Sequence, residues 1–208
     1  MQTTKKIRKP WWVSKSTALL QEFAHTSKGA YVPSSFKGWK YTGQHVTIPL
    51  AQGLGTIVVT VTDSNSNSAG QLAVSMKYSY SPRRKLEFHL RKVNRPLFMP
   101  FHPQLRPVTL PNSAMNKAFH AKASHPSLLR SLLKQDGLYE VLESQPGSYI
   151  RLQLKDQKAV LRLSEDSKNL DTHSLERGVK LMKHFIAGLH EQGFIREKIY
   201  NKKQGPVS

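Results

Sequence analysis

The spacing of hydrophobic residues along the chain has two periods, one typical of strands and the other of helices. Apolar side chains occupy every second position in Gln71–Tyr80, and Lys85–Val93 repeats this pattern. Both segments are therefore predicted strands with one buried face, and Tyr78 and Tyr80 belong to that face. Gly55–Thr62, which is rich in β-branched residues, is a third predicted strand. Weaker strand predictions cover Phe36–Tyr41 and His45–Leu50.

Helical spacing occurs in the N-terminal, central and C-terminal parts of the chain. A helix is predicted over roughly Ser14–Thr26. Ser124 is the predicted cap of a Leu-rich helix, because it precedes Pro126 and a run containing four leucines. Asp171 is the predicted cap of the longest helix, whose apolar stripe continues to about Gln192.

A hairpin separates the last two helices. Tyr149–Leu154 and Ala159–Leu163 both alternate apolar and polar residues, and Asp156-Gln157 between them is a candidate tight turn. Strands thus cluster together while helices lie towards the ends, which differs from the regular βαβ order of parallel sheets. The sequence predicts an α+β fold. It has a mostly antiparallel sheet, an N-terminal helix, a short Leu-rich helix and a long C-terminal amphipathic helix.

The predicted organisation is one α+β domain over residues 14–200. Before it stands a basic, Trp-containing arm at 1–13, and after it a frayed tail at 201–208. Five prolines fall within residues 95–111, where they exclude a helix. We interpret this Pro-rich stretch as an ordered crossover, which is also the candidate boundary if the domain has two subdomains.

The net positive charge of the chain favours an anionic partner. The 208 residues include 32 Lys and Arg against 13 Asp and Glu, a formal net charge of +19, and there is no cysteine. Thirteen of the 19 excess charges lie in the first 110 residues, so the C-terminal part is predicted to have an ordinary solvated surface. The absence of cysteine excludes disulfides, Cys-ligated zinc and a thiol nucleophile.

Residues 110–190 carry a resemblance. Leu110–Phe119, the Leu-rich helix, the hairpin and the final helix resemble the C-terminal half of certain bacterial domains of unassigned chemistry, many of which follow membrane helices. Met115-Asn116 stands where those domains have Phe-Asp, and the membrane helices have no counterpart here. The resemblance implies an α+β fold and names no activity.

Candidate catalytic residues are scarce. The nine histidines form no HExxH motif, and Asp63 and Glu87 are the only acids between Glu22 and Asp136. Two-carboxylate hydrolysis and two-metal phosphoryl chemistry both need clustered acids. We therefore expect a non-enzymatic protein with no catalytic residues, no metal site and no cofactor.

Two basic clusters remain as candidate binding residues. The arm cluster is either a nucleic-acid or membrane-surface contact, or a tail whose indoles pack on the following helix. The sheet cluster is either a polyanion-binding face or an ordinary solvated one, and it assumes that the strands on either side of Ser81–Arg84 pair with each other. The arm cluster is Lys5, Lys6, Arg8, Lys9, Trp11, Trp12 and Lys15. The sheet cluster is Lys77, Arg83, Arg84, Lys85, Arg91, Lys92 and Arg95.

The favoured hypothesis is a module that binds nucleic acid through its phosphates without reading sequence. Two alternatives are kept: peripheral binding to an anionic membrane through the arm, and a scaffold for an acidic protein partner. Neither a secretory signal nor a membrane-spanning segment is recognisable, so the expected location is the cytoplasm, or a membrane surface if the arm binds lipid.

Overall fold

Helices cover one face of a large antiparallel sheet, which confirms the α+β prediction. The computed structural model describes residues 14–63, 71–93, 104–145, 147–167 and 169–196. The predicted arm, residues 64–70, most of the Pro-rich stretch and the predicted tail lie outside these ranges. The α-helices are α1 (Lys15–Thr26), α2 (Ser113–Ala118), α3 (Pro126–Leu132), α4 (Leu138–Glu143) and α5 (Thr172–Glu191).

The main sheet contains nine strands. Its spatial order is β1-β4-β5-β6-β11-β10-β7-β9-β8, and all neighbouring strands are antiparallel. The remaining two strands, β2 and β3, form a separate hairpin. The strands are β1 (Ala30–Val32), β2 (Ser35–Lys37), β3 (Lys40–Thr42), β4 (His45–Pro49), β5 (Thr56–Asp63), β6 (Leu72–Tyr80), β7 (Phe88–Lys92), β8 (Arg106–Pro107), β9 (Phe119–Ala123), β10 (Tyr149–Lys155) and β11 (Lys158–Ser167).

The core lies between the sheet and α1 and α5. Every second residue of β6 is buried, including Tyr78 and Tyr80, as the alternation predicts. The apolar stripe of α5 covers the centre of the sheet, and Phe185 stacks on Phe88 with ring centroids 5.8 Å apart. Gly178 permits a close approach here, since a Cβ at that position would lie 2.5 Å from Met76 Cε.

Local signals fix several of the helix and hairpin ends. Asp171 caps α5 as predicted, because its Oδ1 accepts a 2.7 Å hydrogen bond from the backbone N–H of Ser174. The predicted cap of α3 was wrong. His125 holds the N-cap position, while Ser124 Oγ accepts from the N–H of Glu87 and ties β9 to the segment before β7.

The pairing of β6 with β7 that the sheet cluster assumes does not occur. The β10–β11 hairpin lies between these strands, so β6 pairs with β11 and β7 pairs with β10. The segment after β6 forms no tight turn because it is bonded to the C-terminal end of the described chain. Arg83 N–H donates to Phe194 O, and Arg196 N–H donates to Ser81 O.

Candidate functional site

The face of the main sheet opposite α1 and α5 is lined mostly by Thr, Ser, Lys, Arg and His; we call it the polar face. It consists of the alternate strand positions whose neighbours along the chain point into the core. Antiparallel registers align these positions into rows that run across the strands. The arrangement therefore brings together side chains that are far apart in sequence.

One of these rows has a basic residue on each of five consecutive strands; its histidine, His89, is buried. Lys77 of β6 is directly opposite Arg162 of β11, which is opposite Arg151 of β10. Arg151 is opposite His89 of β7, and His89 is opposite Lys122 of β9. We call these five residues the cationic row. At about 4.8 Å per strand, it spans roughly 19 Å.

The arginines of this row repel each other. Arg151 and Arg162 occupy directly opposed positions, where like charges are destabilising. Burial, followed by the charge of Arg151, lowers the pKa of Arg162. Among the described residues, the buried Nε of Arg162 has no hydrogen-bond partner. The folded chain thus holds this guanidinium in an environment that disfavours its charge.

No described carboxylate compensates the row. None lies within ion-pair distance of Lys77, Lys122, Arg151 or Arg162 in the part of the chain that the structure describes. Within the described strands, Asp166 is the acid on the polar face, and it lies four residues along β11 from Arg162, about 13 Å away. Among the described residues, the two lysines and two arginines of the row are therefore not compensated by a carboxylate.

A second row next to it contains aromatic and further basic groups. Tyr149 is opposite Arg91, and Arg91 is opposite His120. The Tyr149 hydroxyl lies 2.6 Å from His89 Nδ1, in hydrogen-bonding contact. Burial raises the pKa of Tyr149, while hydrogen bonding to Arg151 and the charges of Arg151 and Arg91 act in the opposite direction. These contacts link the two rows.

The predicted sheet cluster is only partly assembled. Lys77 and Arg91 lie on the polar face, whereas Lys92 lies on the helix side, where its Nζ donates to Glu143 O. Arg84 is above the ring of Phe194, 5.0 Å from its centroid. Arg83 and Lys85 lie outside the strands, and Arg95 lies outside the described residues.

In the predicted arm cluster, Lys15 is the described member; it is exposed at the start of α1. The other members, Lys5, Lys6, Arg8, Lys9, Trp11 and Trp12, lie outside the described residues. Their role stays a prediction.

Sequence reasoning missed Arg151, Arg162 and Lys122. They belong to the C-terminal part, whose surface was predicted to be ordinary, yet they supply most of the cationic row. A signal was present in the predicted hairpin. A two-residue turn at Asp156-Gln157 sets the register of its strands, and that register puts Arg151 opposite Arg162.

The chemistry available at this surface is anion binding. Arginine presents a planar fork of donors to phosphate or carboxylate oxygens, and lysine adds a point charge. Among the described residues, no group of three His, Asp or Glu side chains could hold a metal ion, and no helix is long and apolar enough to cross a membrane.

Comparison of the chain with protein-family models, with curated proteins and with solved structures found no match in any of the three. The functional argument therefore rests on the residues of the site.

Proposed function

We propose that this protein is a non-enzymatic module that binds nucleic acid through its phosphates, without sequence readout, along the cationic row. The observation that carries the proposal is the alignment of Lys77, Arg162 and Arg151 on adjacent strands without a compensating acid among the described residues. A phosphate at this position would relieve the repulsion between the guanidiniums and accept their hydrogen bonds.

The shape of the row favours an extended polyanion over a single small anion. Its members are arranged in a line roughly 19 Å long, with a lysine or arginine on four of the five strands and the buried His89 on the fifth. A phosphodiester chain has regularly repeated charges and can contact several of these positions at once. Affinity for such a chain comes mainly from charge neutralisation and is independent of base sequence.

A membrane is a weaker fit to the polar face. Within the described strands of the main sheet, no polar-face position carries an exposed large apolar side chain that would enter a bilayer. Binding at a membrane surface depends on buried apolar area as well as on charge. The membrane alternative therefore depends on residues outside the polar face, such as the predicted arm, and the acidic-protein alternative remains compatible with the same row.

Parallel binding measurements test this proposal. The probes are labelled single-stranded and double-stranded oligonucleotides, vesicles containing phosphatidylserine, and poly-glutamate. The test variant is Arg151→Gln/Arg162→Gln, and its matched control is Lys180→Gln/Lys183→Gln, which removes the same charge from the exposed face of α5. We expect the test variant to bind oligonucleotides at least about tenfold more weakly, while the control stays close to wild type.

The outcomes separate the alternatives. Wild type that binds vesicles but no oligonucleotide, with binding lost in Trp11→Ala/Trp12→Ala, would contradict the proposal and favour the arm as a membrane contact. Binding to poly-glutamate alone would favour an acidic protein partner. Equal weakening by the test and control variants would mean that net charge, and not the cationic row, determines affinity.

A further inference from the structure

The β2–β3 hairpin presents a cluster of exposed aromatic side chains. Phe36 and Tyr41 are directly opposite each other, with ring centroids 4.9 Å apart and ring planes tilted by 45°. Gly38, with φ of +60°, is the first central residue of the turn, a position at which glycine permits a tight hairpin connection. Trp39 follows it at the tip. We call Phe36, Trp39 and Tyr41 the aromatic tip.

Packing of the described core does not account for these rings, because they are exposed to solvent. Phe36 is 77% exposed, Tyr41 is 59% exposed and Trp39 is fully exposed. Neither strand of the hairpin pairs with the main sheet, and none of its residues is buried. Large apolar side chains that are clustered and exposed mark interaction sites more often than scattered ones do.

The base of the hairpin is held firmly although its tip is exposed. Gln44, just after β3, accepts hydrogen bonds through Oε1 from the hydroxyls of Thr17 in α1 and Tyr31 in β1, at 2.8 and 3.0 Å. His45 Nδ1 lies 2.9 Å from Gly43 O. The rings are therefore carried on an anchored support, which reduces the ordering cost of a contact made at the tip.

Charge at the hairpin matches that of the cationic row. Lys37 and Lys40 are directly opposite each other. The chain contains no Asp or Glu between Glu22 and Asp63, so no acid adjacent in sequence offsets these lysines. Opposed lysines are unfavourable in a free hairpin, as are the opposed arginines of the cationic row. Surfaces that bind single strands combine two components: aromatic rings, which stack on bases, and cations, which contact phosphates. The hairpin has both.

We infer that the aromatic tip stacks on unpaired nucleobases, which makes the preferred ligand single-stranded nucleic acid. This inference rests on the proposed function and adds a second contact to it. The exposed apolar groups of the hairpin are all rings, without an exposed Leu, Ile, Val or Met beside them. Such a surface offers π-faces on which bases can stack, beside lysines that can meet the flanking phosphates.

A phosphate-only probe separates stacking from charge contact. In the background Trp11→Phe/Trp12→Phe, Trp39 is the remaining tryptophan of the chain. Its fluorescence is followed during titration with a 20-nucleotide oligothymidylate, with a 20-unit abasic oligomer that has the same backbone, and with phosphatidylserine vesicles. We expect oligothymidylate to quench Trp39, and the abasic oligomer to leave its emission unchanged.

Affinities of three variants complete the test. Trp39→Ala should weaken oligothymidylate binding by roughly 5- to 150-fold and leave abasic binding unchanged, while Trp39→Phe, which retains a ring, should recover part of the loss. Lys37→Gln/Lys40→Gln should weaken binding to both oligomers. Circular dichroism verifies that each variant is folded, which we expect because the hairpin has no buried residue.

Failure of this inference differs from failure of the proposed function. Equal affinity of Trp39→Ala and wild type for oligothymidylate would overturn the stacking contact, and the proposed function would stand if Arg151→Gln/Arg162→Gln still weakened both oligomers. Wild type that binds a duplex but neither oligomer would overturn the inference alone, whereas wild type that binds none of the three would overturn both. A blue shift of Trp39 on vesicles without quenching by oligothymidylate would identify the tip as a membrane contact and contradict the inference.

Discussion

The opposed pair Arg151 and Arg162 places two like charges against each other in the folded sheet. Arg162 is half-buried, its pKa is lowered by burial and by Arg151, and its Nε has no partner among the described residues. Without a bound anion the pair is a source of strain. Removing one member should therefore stabilise the fold while weakening the site.

We expect Arg162→Met to raise the free energy of unfolding by up to about 1 kcal/mol in low-salt buffer without phosphate, because it removes the opposed charge and keeps an apolar stem. Urea denaturation measures the change. The control variant Arg130→Met should instead lower the free energy of unfolding, because it removes the 3.0 Å hydrogen bond that Arg130 Nε donates to Thr109 O. Destabilisation by Arg162→Met would show that the guanidinium is stabilised by the fold and contradict the account.

Strain is also present at single backbone positions. Asp156 and Gln157 have φ of +48° and +63°, so both central residues of the β10–β11 turn are left-handed. This is the conformation of a type I′ turn, for which glycine is preferred at the second central position. The turn must stay in this conformation because it sets the register that aligns the cationic row.

Gln157→Gly should therefore raise the free energy of unfolding by about 1 kcal/mol, because glycine has no Cβ penalty in the left-handed region. The matched control is Gln153→Gly in the middle of β10, where the same change should cost about 0.5–1 kcal/mol. Thermal or urea denaturation of both variants measures the difference. A loss of stability in Gln157→Gly would contradict the assigned turn.

At the scale of elements, capping fixes where α5 begins. The Asp171 carboxylate accepts hydrogen bonds from the side chain and backbone of Ser174, and these bonds lower its pKa. A lowered pKa in the folded state means that ionised Asp171 stabilises the fold. That contribution is complete above the ordinary pKa of aspartate and is lost as the pH falls through the lowered value.

We expect Asp171→Ala to lower the free energy of unfolding by about 1 kcal/mol at pH 7. The difference from wild type should shrink as the pH falls below about 4, since wild type then loses the ionised cap. Asp136→Ala, at an exposed position outside the helices, should change stability by less than about 0.5 kcal/mol. A pH-independent difference for Asp171→Ala would contradict the electrostatic part of this assignment.

The sequence predicted individual elements better than their arrangement. Alternation in Gln71–Tyr80 identified β6 and its buried face, and Asp171 marked the start of α5. Helix α2 was not predicted, because its six residues are too short to show a period. Its start is fixed locally, as Asn112 Oδ1 accepts from Met115 N–H at 2.7 Å.

At the scale of the molecule, the site depends on pairings between distant segments. The register between Arg151 and Arg162 was within reach of the sequence, since it follows from the hairpin turn. The neighbours Lys77 and His89 were not, because β6 and β7 flank a hairpin that lies about 70 residues later in the chain. Periodicity within one strand defines its faces but not which strand pairs with it.

The aromatic tip was missed for a related reason. Phe36–Tyr41 was predicted as one strand, whereas Gly38 divides it into the two strands of a hairpin. Alternating rings and lysines around a glycine were the available signal. The exposure of the tip could not be predicted, because it depends on which elements of the fold lie next to the hairpin.

The basic character of the chain has a different distribution in the fold from that in the sequence. Charge counted along the chain was concentrated in the first 110 residues, but the polar face combines Lys77 and His89 with Lys122, Arg151 and Arg162 from the second half. The strand order thus brings basic residues from both halves of the sequence together on one face of the sheet.

The salt dependence of oligonucleotide binding tests the central claim most directly, because its slope counts the phosphates that a site neutralises. The measurement is the affinity for a single-stranded 20-mer between low and physiological salt, for wild type, Arg151→Gln/Arg162→Gln and Lys180→Gln/Lys183→Gln. If the cationic row binds phosphates, the first variant should reduce the slope of log affinity against log salt by about 1.4, and the second should leave it unchanged. Equal slopes for the two variants would contradict the assignment of the cationic row as the binding site.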